Sequence, residues 1–138
     1  MKSEVRFITI HVSDSDIEYH DDISVIDTWH RKLGFKKVGY NYFLTKSGKI
    51  QEGRAEGEIL AHAKGHNKHH IAICLSGKNQ VPNEAQEFNL RNLIQSIIDR
   101  HDIRRIYYHN ELNKYKTCPN FKLEWIAKLN EELQTKKI

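Results

Sequence analysis

Three residues suited to a transition metal stand close to where extended runs of the chain give way to irregular sequence: His11 and His109 at the ends of two such runs, and Cys118 in the loop that follows the second. Imidazole nitrogen and thiolate sulfur both suit Zn²⁺, and a catalytic zinc site takes three protein ligands while keeping a fourth position for water or substrate. The three residues would supply that set. Spacing alone leaves a second reading open beside it, because a chain with nine histidines places some at strand ends by chance, and a single cysteine is as readily core packing. In the same way Tyr40 reads as a hairpin aromatic with a satisfied hydroxyl, and Lys116 as a solvated loop charge. The group Lys64, His66, Lys68, His69 and His70 spaces its donors too irregularly for a defined polyhedron and reads as a solvated, pH-sensitive loop face.

These residues need elements to position them. Residues 4–12, EVRFITIHV, are β-branched and aromatic with both faces largely apolar, which predicts a central strand with His11 near its C-terminal end. Residues 23–33 place Ile23, Ile26, Trp29 and Leu33 at helical spacing, behind Asp21 or Asp22 as N-cap and ahead of Gly34. Residues 40–44 and 50–53 flank KSGK, whose Ser47-Gly48 pair suits a tight reversal, so a short hairpin is expected. The stretch 53–70 mixes glycines and polar residues without sustained periodicity and predicts a long irregular loop with room for one helical turn.

Residues 70–76, HIAICLS, form a second apolar strand candidate. Asn83 with Gln86 resembles a capping box, opening a helix that carries Phe88, Leu90, Leu93, Ile94, Ile97 and Ile98 on one stripe and ends near His101. A strand over 105–108 follows, ended by His109; a last helix over 122–133 turns Trp125, Leu129 and Leu133 to a core, and the tail 134–138 is expected to fray. The order β, α, hairpin, loop, β, α, β, α has no internal repeat or linker. It predicts one mixed sheet flanked by helices, of α/β or α+β class, in a single domain over residues 1–138.

Composition narrows the function classes. At 138 residues and 38% hydrophobic, the chain has material for one core. No N-terminal apolar run suits a signal peptide and no segment approaches the roughly 20 apolar residues of a membrane span, so a soluble chain made in the cytoplasm is expected, without membrane insertion. Two cysteines are too few for a disulfide framework, which leaves Cys118 reduced and free to bind metal. A net charge of +4 favours an anionic partner such as nucleic acid, a membrane surface or wall polymers. Lys and Arg are scattered without an arginine-rich helix or aromatic platform, which argues against dedicated nucleic-acid binding.

Several stretches taken together are more specific: ITIHVSDS, IDTWHRKLGFKKVGYNYFL, GKIQEGR, AHAKGHNKHHIAICLSG and YYHNELNKYKTCPNF. In this order and approximate spacing they resemble the type-2 N-acetylmuramoyl-L-alanine amidases, a family of phage lysozymes and animal peptidoglycan-recognition proteins, over residues 7–125. The resemblance implies one zinc ion per chain on His11, His109 and Cys118, with Tyr40 and Lys116 assisting catalysis. It implies hydrolysis of the amide between the lactyl group of N-acetylmuramic acid and the L-alanine of the stem peptide, with peptidoglycan or muropeptides as partners and a monomer acting on the wall after release or non-classical export. Family members that bind without cutting typically lack the zinc cysteine, so Cys118 favours an enzyme. Where the muropeptide-recycling branch carries a glutamate, Cys74 stands here, as in the phage-type branch. His62 and His69 fall in the loop that the family uses near its substrate groove, which makes them candidate glycan or peptide contacts. The alternatives on the same fold are a non-catalytic peptidoglycan-binding protein and a regulatory protein that binds a polymerase, as some phage members do.

Overall fold

Apolar residues run without strict alternation through FITIHV and HIAICL because both faces of these strands are covered. The computed structural model, which describes residues 4–78 and 81–135, sets them side by side. Strand β1 (Phe7–Val12) pairs in parallel with β4 (His70–Leu75), Phe7 opposite His70 and His11 opposite Cys74. Strand β5 (Arg105–Tyr108) adds in parallel on the other edge of β1. Strand β2 (Tyr42–Leu44) lies parallel to β4 and antiparallel to β3 (Ile50–Glu52), giving the order β3-β2-β4-β1-β5. The result is the mixed sheet with flanking helices that the sequence predicts, and β1 is an inner strand, paired on both edges, with β4 in the middle of the five.

The helices start where their caps allow. Of the two candidate aspartates, Asp22 caps α1 (Ile23–Lys32), its carboxylate accepting the Ser24 N–H at 2.9 Å. Helix α2 (Glu84–Arg100) opens on the expected reciprocal pair, the Gln86 N–H donating to Asn83 Oδ1 and the Asn83 N–H to Gln86 Oε1. The Gln86 amide also donates to Ser76 O at 2.9 Å, fastening the start of α2 to the end of β4. A four-residue helix α3 (His109–Leu112) follows β5, and α4 (Glu124–Thr135) closes the described chain.

Alternation along the strands divides the sheet into two faces. Ile8, Ile10, Val12, Ile71, Ile73 and Leu75 form the main core with Leu90, Ile94 and Ile97 of α2 and with Ile126 and Leu133 of α4. Each such side chain contributes about 1.5–3 kcal/mol when fully buried. On the opposite face Phe43 and Cys74 meet Ile26 and Val38 beneath α1, and there β1 presents the alternate set that includes Thr9 and His11.

Several expectations need correction. Phe88 is 67% exposed because it lies two residues, about 200° of helical turn, from buried Leu90. Leu33 is 72% exposed because α1 ends one residue earlier and Leu33 is its C-cap. Strand β1 begins at Phe7 rather than at residue 4, the Arg6 and Phe7 amides both donating to His69 O. The long loop carries no helical turn, a short 3-10 turn at Glu18–His20 was not expected, and His109 starts α3 instead of ending β5. Of the tail expected to fray, residues 134 and 135 belong to α4 and 136–138 lie outside the described residues.

Candidate active site

Parallel strands deliver their last residues to one edge, where open α/β sheets bind ligands. His11 is the penultimate residue of β1, and Ile10 is paired with Tyr108, so the next residue after β5 comes level with it. That residue is His109, whose ring centroid lies 4.2 Å from that of His11. Glu111 holds the turn by accepting the Tyr108 N–H at 2.9 Å and pairing with Arg105 at 3.1 Å. The Asn110 amide donates to the carbonyls of Thr117 and Pro119, at 3.3 and 3.0 Å, pinning the chain on both sides of Cys118. Cys118 Sγ then stands 3.5 Å from His109 Nδ1. Tyr40 sits with its ring 4.8 Å from His11 and 5.3 Å from His30.

The long loop closes the other side. Arg54 donates to the carbonyls of Val38 and Ile59 at 2.8 and 2.6 Å, folding the loop back on the segment before β2. Gly39 permits the approach: a Cβ there would lie 1.9 Å from Ala61 O, inside any allowed contact. The next residue, His62, is held by its backbone N–H donating to Asn67 Oδ1 at 2.9 Å, and its Nδ1 lies 2.9 Å from His11 Nε2.

Between loop and sheet edge opens a cleft of about 460 Å³, lined among others by His30, Tyr40, His62, Lys64, His109 and Lys116, with no carboxylate among its described lining. The structure therefore brings together His11, Tyr40, His62, His109, Lys116 and Cys118. It does not bring His69, which is exposed beside the start of β4 with Nδ1 2.8 Å from Glu4 O. His70, expected on a solvated face, is buried with Nδ1 2.7 Å from Thr9 Oγ1 and its ring 5.2 Å from His62. Its place in an apolar strand, two and four residues before Ala72 and Cys74, was the signal for that burial.

A family model for N-acetylmuramoyl-L-alanine amidases matches residues 1–121. The chain belongs to that family. It is 29% identical over 133 residues to the endolysin of Escherichia phage T7, covering 90% of this chain and 86% of that protein. Among solved structures, the N-acetylmuramoyl-L-alanine amidase LysC from Clostridium intestinale shares the fold at a TM-score of 0.81, with 22% identity over 98% of this chain and 86% of that one. The ectodomain complex of the peptidoglycan recognition proteins LCa and LCx, solved with tracheal cytotoxin bound, matches at a TM-score of 0.76 and 25% identity, covering 91% of this chain and 82% of that one.

For an amidase of this family the question is whether the donors suit a metal. Among the described residues no three His, Cys, Asp or Glu side chains are gathered as a ready-made metal-holding group. The donor chemistry nevertheless fits zinc, and so does one spacing. Tetrahedral sulfur and nitrogen ligands at about 2.3 and 2.0 Å from zinc lie about 3.5 Å apart, which is the Cys118 Sγ to His109 Nδ1 separation.

Burial shifts these groups towards their neutral forms. Burial, reinforced by His109 and His62, holds His11 well below the ordinary histidine range. Burial alone is the chief cause that lowers His62 to about 4 and His70 to about 3, and burial followed by the Lys116 charge lowers His109. The Tyr40 phenol is pushed up by burial and by Cys74 and Cys118, so it is a hydrogen-bond donor at neutral pH. Burial also raises the Cys118 thiol, against a Val12 N–H and the Lys116 charge that favour the thiolate.

A pH dependence of stability follows. Histidines whose folded pKa lies below the unfolded value near 6.5 contribute stability that is fully present above about pH 6.5 and is lost as pH falls towards the folded values. Each contributes at most about 1.4 kcal/mol per pH unit in that window. Thermal melts between pH 7.5 and 4 are expected to fall more steeply for the native chain than for His70→Phe, which keeps the ring packed against Phe7 and Tyr107 but removes the titration. Equal slopes would mean that His70 is not held neutral.

Proposed function

We propose that the chain is a zinc-dependent N-acetylmuramoyl-L-alanine amidase, one domain acting as a monomer, that hydrolyses the amide between the lactyl group of N-acetylmuramic acid and the L-alanine of the stem peptide. What carries the reading is the Cys118–His109 pair at zinc-ligand spacing beside His11, with Tyr40 near His11 and Lys116 lining the same cleft, in a member of the amidase family. His11, His109 and Cys118 would hold the ion. The chemistry that zinc supplies when bound is Lewis-acid polarisation of the scissile carbonyl and acidification of water, so that attack occurs near neutral pH.

The chain's own residues do the rest. Hydrolysis adds water oxygen to the lactyl carbonyl carbon, breaks its bond to the alanine nitrogen and returns a proton to that nitrogen. Lys116 carries a positive charge at the exposed rim of the cleft, suited to the negative charge that develops on the carbonyl oxygen. Tyr40, protonated, donates a hydrogen bond to the attacking water or to the developing oxyanion and is not the base. The three histidines and two lysines of the lining, without a carboxylate, suit the carboxylates of a stem peptide. The substrate places the action at the bacterial wall, as expected of a relative of phage endolysins.

The test is mass spectrometry of a defined N-acetylmuramoyl-peptide after incubation with the protein, with and without a zinc chelator. Free stem peptide and free N-acetylmuramic acid are expected, and chelation is expected to stop their release. An intact substrate with zinc bound would overturn the enzymatic reading in favour of binding alone.

A further inference from the structure

One hydrogen-bonded chain runs away from the proposed metal ligands into the long loop. His62 Nε2 lies 2.5 Å from the backbone oxygen of His66, and His62 Nδ1 lies 2.9 Å from His11 Nε2. A carbonyl only accepts, so the proton on that side belongs to His62 Nε2. Both rings are buried, and among the described residues neither is hydrogen-bonded by a carboxylate, so both are neutral. A neutral imidazole protonated at Nε2 accepts at Nδ1, and His11 must therefore donate its Nε2–H. Nδ1 of His11 is left as the bare nitrogen.

We propose that His62 is a positioning residue: it relays the His66 carbonyl to His11 and fixes the tautomer in which Nδ1 of His11 is free to bind a metal. This rests on the reading of His11 as a zinc ligand. Metal-ligating histidines generally donate their other ring N–H to a fixed acceptor, which sets the tautomer and raises ligand basicity. Here the acceptor is a second histidine, itself tied down. The Asn67 carboxamide oxygen accepts from the backbone of His62 and Ala63 at 2.9 and 3.1 Å, and His66 N–H donates to Ala63 O at 2.8 Å, so the His66 carbonyl and the His62 ring belong to one closed turn. Gly39 admits that turn to the sheet edge. The role differs from that of a glycan or peptide contact, because it acts through His11 and needs no substrate.

The experiment uses the 138-residue chain with two substitutions. His62→Phe keeps a ring of similar size but offers no acceptor, whereas His62→Asn can return an oxygen near the place of Nδ1. Long-range imidazole ¹⁵N NMR before zinc is added reads the tautomer, and competition with a chromophoric chelator reads zinc affinity. The native chain is expected to show His11 protonated at Nε2. In His62→Phe the His11 population shifts towards Nδ1–H and zinc affinity drops about 10- to 100-fold; His62→Asn recovers most of both. A native His11 protonated at Nδ1, or a folded His62→Phe that binds zinc as tightly as the native chain, would overturn the proposal. If the native chain bound no zinc, the amidase reading would fail, while the tautomer spectrum would still decide the role of His62.

Discussion

Replacing Cys118 with serine is expected to lower kcat/KM by more than about 100-fold while leaving the fold intact. Changing a group that merely supports a zinc ligand typically costs 10- to 100-fold, and here the ligand itself is exchanged. Serine has nearly the size of cysteine, but its hydroxyl does not ionise near neutral pH and is a poor partner for zinc. The surrounding loop does not depend on the sulfur: Asn110 pins it through the carbonyls of Thr117 and Pro119, and Cys118 is only partly buried. The melting temperature of the zinc-free protein should therefore move little, by no more than the roughly 0.5 kcal/mol of a mild substitution. Zinc affinity and turnover should fall together. A Cys118→Ser protein that kept more than a tenth of its turnover would remove Cys118 from the proposed ligand set.

The frame of this site could be read from residue patterns because the frame is made of periodic apolar elements. The apolar runs of β1 and β4, the Asn83–Gln86 capping box and the helical spacing ahead of Gly34 each have a local physical cause, and each appears in the structure within a few residues of its expected place. The misreadings share another cause. Phe88 reads as core because it is apolar, although its angular position sets it opposite Leu90, and His70 reads as solvated because it ends a histidine-rich loop, although it is the first residue of a buried strand. The long loop was harder still. Its path depends on Gly39 lying against Ala61, on Arg54 donating to Val38 and Ile59, and on Asn67 turning the chain at His62, single polar and backbone contacts, some local and some distant, that leave no periodic pattern in the sequence. For the same reason His62 was legible as a residue near the groove but not as the partner of His11.

Asn41 tests how far the site depends on that loop, and Asn41→Leu is expected to be strongly destabilising although Asn41 is no part of the apolar core. Asn41 is fully buried. Its side-chain oxygen accepts the Ala72 N–H of β4 at 2.8 Å, while its amide donates to the carbonyls of Arg54 and Ala55 at 3.1 and 3.0 Å. One side chain thus joins the residue after Tyr40, the central sheet and the start of the long loop. Leucine fits the volume but leaves one buried N–H and two carbonyls without this partner. At about 1–3 kcal/mol for each buried group left unsatisfied, partly relieved by water reaching the loop carbonyls, the loss should be about 3–5 kcal/mol. Against a total stability of about 5–15 kcal/mol for a domain, that lowers the melting temperature by roughly 10–20 °C. Gln95→Leu on the exposed face of α2 serves as the control and should change it by only a few degrees. Turnover of Asn41→Leu measured well below its melting temperature should also fall, because the loop that carries His62 has lost its tie to β4. A shift in melting temperature no larger than that of the control would show that Arg54 and Gly39 hold the loop without Asn41.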